Sequence, residues 1–165
     1  MAPNLAILSI PAYFVLTLAP HMYAASIAMK DKGPSNYDHR NPRAANYLEN
    51  MRKQLAPADF ARWERAEAAH HNGNENYALY AATVLASVLA DTTATKTGVL
   101  GLLAGGMSAE TRTFVLSYFA SRILYTFVYI ATSDNRKTFI RTIVYFTGVG
   151  LCFQQFVRAA TILGN

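Results

Sequence analysis

Residues 65–90 read RAEAAHHNGNENYALYAATVLASVLA, and this stretch decides the fold. It holds no proline, and its composition changes halfway. The first half, through Asn76, is polar; the second, from Tyr77 to Ala90, is fourteen small and apolar residues. Crossing a bilayer takes about 20 residues at 1.5 Å rise each. A helix here must either project from the membrane or carry Asn72, Glu75 and Asn76 to some depth within it.

The flanks give the rest of the architecture. Residues 3–29 are an apolar run with His21 as the one ionisable side chain and with Pro11 and Pro20 inside. Prolines are tolerated in membrane helices. The run has no positive leading region and is longer than a signal-peptide core, so a retained first span is expected. Lys30 to about Ala58 is hydrophilic, with turn signals at Gly33-Pro34 and Asn41-Pro42-Arg43. Asp59 is a candidate N-cap for the second span, and Tyr47 falls in the loop. Residues 99–107 form a glycine-rich turn. Further spans are expected at 111–132 and 138–163, joined by the hydrophilic link 133–137.

The predicted fold is therefore all-α: a single integral membrane four-helix bundle with spans at about 3–29, 60–92, 111–132 and 138–163. Composition agrees. Charged residues are 15% of the 165-residue chain, against roughly 25% in a soluble domain. The net charge of +5 lies between apolar blocks. Lys30 to Arg65 holds eight Lys/Arg, the 133–137 link holds two, and the stretch before the first span holds none. Loops 30–59 and 133–137 are expected to be cytosolic, with both termini opposite. No basic, aromatic-interleaved platform appears, so no nucleic acid is expected. Cys152 is the single cysteine, which excludes an intrachain disulfide. Adjacent His70 and His71 point about 100° apart on a helix and make a poor metal pair, so no metal site is expected. Trp63 is expected to anchor at the membrane interface, and Gly148 and Gly150 to allow close helix approach.

A charge at the bilayer centre costs roughly 2.5–3.5 kcal/mol unless it faces partners inside the bundle. At 100° per residue, Arg65, Asn72 and Asn76 fall within about 40° of one another, with Glu75 on their flank. Tyr118, Arg122, Tyr125 and Tyr129 form a second stripe. Arg141, Tyr145, Gly148, Cys152 and Gln155 form a third. The stripes are expected to meet, within one chain or across a subunit interface. Arginines with Asn, Glu and tyrosines suit a small anionic ligand, because guanidinium offers a planar fork of donors to a carboxylate. The same residues also suit a purely structural reading, with Arg122 paired to Glu75.

The strings Arg65 to Asn76 with the following Tyr-Ala-Leu-Tyr, and Arg122-Ile-Leu-Tyr125-x-x-x-Tyr129, resemble the second- and third-helix signatures of the MAPEG family, the membrane-associated proteins in eicosanoid and glutathione metabolism. The resemblance covers nearly the whole chain. It implies a homotrimer in the endoplasmic reticulum or another intracellular membrane. Glutathione would be the cosubstrate, bound between subunits near the cytosolic face, and the second substrate a lipophilic small molecule. It implies a glutathione-dependent transferase or peroxidase, with a glutathione-dependent isomerase or a non-catalytic lipid-binding scaffold as alternatives. Carried over by position, Arg65, His71, Asn72, Glu75, Asn76, Arg122, Tyr125 and Tyr129 are the candidate glutathione-binding residues. Arg141, Arg136 and Tyr145 are the candidate catalytic residues; of the two arginines, Arg141 is preferred because Tyr145 follows it one turn later. The chain departs from the family pattern at Ala68 and His71, where relatives often carry arginine.

Overall fold

A computed structural model describes residues 3–30, 46–94, 107–134 and 138–164. Six helices appear among them: α1 (Leu5–Met29), α2 (Tyr47–Gln54), α3 (Pro57–Glu75), α4 (Tyr77–Ala94), α5 (Ala109–Ala131) and α6 (Thr138–Leu163). No strand occurs among the described residues. Three helices are long and apolar enough to cross a membrane: α1, the 38-residue rod Pro57–Ala94 that joins α3 to α4, and α5. With 26 residues, α6 is about 39 Å long. It falls outside that set because Arg141, Gln154, Gln155 and Arg158 dilute its apolar character.

The ends are built from local chemistry. The Asn4 side chain caps α1, accepting from the backbone N–H of Ala6 and Ile7. Ser108 caps α5 through the N–H of Thr111. The second rod starts earlier than Asp59. Ala56 is its N-cap and Pro57 occupies the first helical position, where proline's fixed φ suits the helix and its missing N–H costs nothing. Asp59 lies in the first turn instead, 3.5 Å from the Lys30 ammonium group. Between α3 and α4 the chain barely breaks: Asn76 keeps near-helical angles, and the Tyr80 N–H still reaches the Asn76 carbonyl.

Two expectations about the polar segment change. Tyr47 opens helix α2 rather than lying in a loop, and it packs edge-on to Trp63 at 5.8 Å. Trp63 is buried, not an interface anchor, in a cluster with Met51, Leu55 and Phe60. The cause is amphipathic: Met51 and Leu55 lie one turn apart and together cover the ring. The turns at 33–36 and 41–43, residues 99–106 of the glycine-rich stretch, and Arg136 lie outside the described residues.

Cross-helix contacts fix the directions. Ser9 meets Tyr80, Thr17 meets Asn74 and His21 meets Glu67, so α1 runs antiparallel to the second rod. Arg65 meets Ile130 and Asn76 meets Arg122, so α5 is antiparallel to that rod as well. Arg141 meets Tyr129 and Arg158 meets Ser108, so α6 is antiparallel to α5. Residues 30, 57, 131 and 138 therefore share one end, where Lys30, Arg52, Lys53, Arg62 and Arg65 gather. Tyr13, Tyr80, Val84, Phe114, Tyr118 and Cys152 form the core nearer the other end.

Candidate functional site

The three stripes read from the sequence converge within one chain. At their centre is Arg122, 4% exposed. Its guanidinium lies 5.0 Å from the ring centre of Tyr118, 5.2 Å from Tyr145 and 5.8 Å from Tyr125. One Nη donates to the Asn76 side-chain oxygen and the Tyr145 carbonyl, each at 3.5 Å. Asn76 is held in turn: its amide donates to the Asn72 carbonyl at 2.8 Å and reaches the Tyr145 hydroxyl at 3.5 Å. Buried guanidinium is costly without partners. Here the negative faces of three rings replace a counter-ion.

Gly148 makes this possible. A Cβ on Gly148 would stand 2.5 Å from an Nη of Arg122, so the arginine occupies the volume a side chain would take. The expected close approach is real at Gly148, but it is made to a side chain rather than to a neighbouring helix backbone. Gly150 faces open space and serves no such contact within the chain.

A second cation lies toward the basic end. The Arg141 guanidinium stacks over Tyr129 at 4.3 Å from the ring centre. Tyr129 contacts Tyr125 at 5.5 Å, and Tyr125 contacts Tyr145 at 5.8 Å. A run of three tyrosine rings thus connects the Arg141 cation to the Arg122 cation along the α5–α6 seam. Arg141, Tyr129 and Tyr145 are half-buried, so this part of the seam is reachable from outside.

The remaining candidates from the second rod are placed differently. His71 and Glu75 are exposed and Asn72 is half-buried. The expected Arg122–Glu75 ion pair does not form: Arg122 turns to Asn76. The Arg65 Nε donates to the Ile130 carbonyl at 2.9 Å, at the last turn of α5. That is a favourable place for a cation, since the carbonyls there lack helical partners and carry the negative end of the helix dipole.

Two polar systems were not anticipated. Along α1, Ser9, Tyr13, Thr17 and His21 recur every fourth residue and bind the second rod. Tyr13 donates to the Gly73 carbonyl, Thr17 donates to Asn74, and His21 pairs with Glu67 at 2.9 Å. The His70 Nδ1 donates to the Thr17 carbonyl, and the Asn74 amide donates to its Nε2. The i, i+4 spacing of these polar residues is visible in the sequence, but the apolar run as a whole gave no sign of which neighbour they meet. At the far end, Asp91 and Arg158 form an ion pair at 2.7 Å, joined by Ser108. Residues 67 positions apart carry no local signal of pairing.

The fold and the buried cation–tyrosine seam define a helical integral membrane protein with a polar interior. The chain belongs to the MAPEG family, whose family model matches residues 7–161. No curated protein and no solved structure matches it.

Proposed function

We propose that this protein is a glutathione-dependent membrane transferase or peroxidase acting on lipophilic electrophiles, assembled as a homotrimer with four spans per subunit. The observation that carries the reading is the Arg141–Tyr129 stack, continued by Tyr125 and Tyr145. A fixed guanidinium at the edge of a tyrosine-lined seam suits the stabilisation of a thiolate. Lowering a thiol pKa by two units takes roughly 2.7 kcal/mol of differential stabilisation. One charged donor in a site poor in water is sufficient for that.

The residues fit a small peptide anion. Asn72, Glu75 and His71 lie on the second rod, Tyr125 and Tyr129 on α5, and Arg141 and Tyr145 on α6. Glu75 suits the ligand's ammonium group, and Arg65 and Arg141 suit its carboxylates or thiolate. Arg122, enclosed by three rings, acts as a positioning residue that sets Tyr125 and Tyr145. In the transferase reaction the thiolate sulfur bonds to the electrophilic carbon while the leaving group departs with its electron pair, or an epoxide opens and its oxygen takes a proton from Tyr145. Holding both reactants together supplies much of the remaining barrier reduction.

Subunit assembly has its own support. His71 and Glu75 are exposed on the rod, ready to face a neighbour. On α6, Phe139, Ile143, Phe146, Phe153 and Val157 are exposed, an apolar face that fits lipid or a second subunit rather than water. The test uses the purified chain in detergent: glutathione binding by calorimetry, cross-linking for the trimer, and turnover with an aryl halide and with a lipid hydroperoxide. Binding with turnover of either acceptor is expected. Failure to bind glutathione at millimolar concentration would instead favour the non-catalytic scaffold, which the alanine at Ala68 also favours.

A further inference from the structure

The geometry points to a site for an anionic phospholipid in the groove between α1, α3 and α5, on the opposite side of α5 from Arg141. The groove encloses about 700 Å³, within the roughly 300–1,000 Å³ usual for ligand sites. Leu16, Pro20, Ile123 and Phe127 line its apolar length, and Arg62 and Arg65 stand at its head. The arginines are three residues apart and so share a helix face. Among the described residues neither is paired with a carboxylate. Arg65 is held in place by its bond to the Ile130 carbonyl, so its position does not depend on a ligand.

Charge complementarity names the occupant. An apolar trough capped by two fixed cations at the basic end of a membrane bundle matches acyl chain below and phosphate above. Guanidinium is the side chain best matched to phosphate oxygens. The basic end is also where anionic lipids would gather, if it faces the cytosolic leaflet. A zwitterionic lipid would fill the trough and bring a phosphate, but its own ammonium group cancels that charge, whereas an anionic lipid adds net negative charge opposite the two guanidinium groups. The groove shares Arg65 with the glutathione residue set, so the test varies Arg62 and Ala19, which that set does not contain.

The full chain is purified in detergent and exchanged with phosphatidylserine or phosphatidylcholine, and retained lipid is counted by native mass spectrometry. Wild type should keep phosphatidylserine in preference to phosphatidylcholine. Arg62→Gln, at an exposed side chain with no hydrogen bond among the described residues, should cut the preference about fivefold. Ala19→Phe, exposed at the groove wall, should reduce retention of both lipids. Equal retention by wild type, or a preference untouched by Arg62→Gln, would overturn the site. So would Ala19→Cys chains that cross-link to one another, which would give the groove to a second copy.

Discussion

Arg122 occupies the space that a side chain at residue 148 would need: a Cβ on Gly148 would fall 2.5 Å from its Nη. The glycine and the arginine are 26 positions apart and on different helices, and a side chain at 148 requires the Arg122 guanidinium to move. Gly148→Ala should destabilise the protein by about 1–3 kcal/mol, the usual range for overpacking a closed core. Gly150→Ala, facing open space, should change stability little and serves as the control. Thermal unfolding in detergent reads both.

The Asp91–Arg158 pair should behave as a buried ion pair. Asp91 is 7% exposed and receives donors from Arg158 and the Ser108 N–H. Asp91→Asn should cost about 1–3 kcal/mol, because it leaves the partly exposed Arg158 guanidinium without its carboxylate. Adding Arg158→Met to Asp91→Asn should recover part of that loss. A double-mutant cycle on unfolding midpoints measures it, and simple additivity would contradict the pairing.

Tyr80 joins α1 to the second rod through its hydroxyl. The Ser9 hydroxyl already donates to the Ala6 carbonyl, so Tyr80 is the donor in the 2.6 Å bond between them. Tyr80→Phe keeps the stack on Tyr118 at 4.4 Å and leaves Ser9 satisfied. The loss should be about 1 kcal/mol, the net worth of one ordinary hydrogen bond. Ser9→Ala should cost more, about 1–3 kcal/mol, because it strands the buried Tyr80 hydroxyl, and adding Tyr80→Phe should recover part of that loss.

Much of the helical layout was legible because apolar run length and proline placement act locally. The helix boundaries moved by at most three residues from the predicted spans, and the stripes that hold Asn76, Arg122 and Tyr145 followed from helical periodicity, which left open whether they meet within one chain. What periodicity leaves open is which neighbour a side chain chooses. Glu75 and Asn76 are adjacent, and only packing decides that Asn76 turns to Arg122 while Glu75 turns outward. Trp63 was misplaced for a related reason: an aromatic near a span end suits the interface equally well until α2 packs over it, and Tyr47, read as loop, opens that helix. The polar register of α1 was the one visible signal left unread.

The central claim is that Arg141, stacked on Tyr129, holds glutathione as its thiolate. Ultraviolet difference absorbance of the detergent-purified protein, with and without glutathione, tests it most directly. Wild type should develop a thiolate band near neutral pH, Arg141→Ala should lose it, and Arg136→Ala should keep it. No band in wild type, or an undiminished band in Arg141→Ala, would contradict the claim.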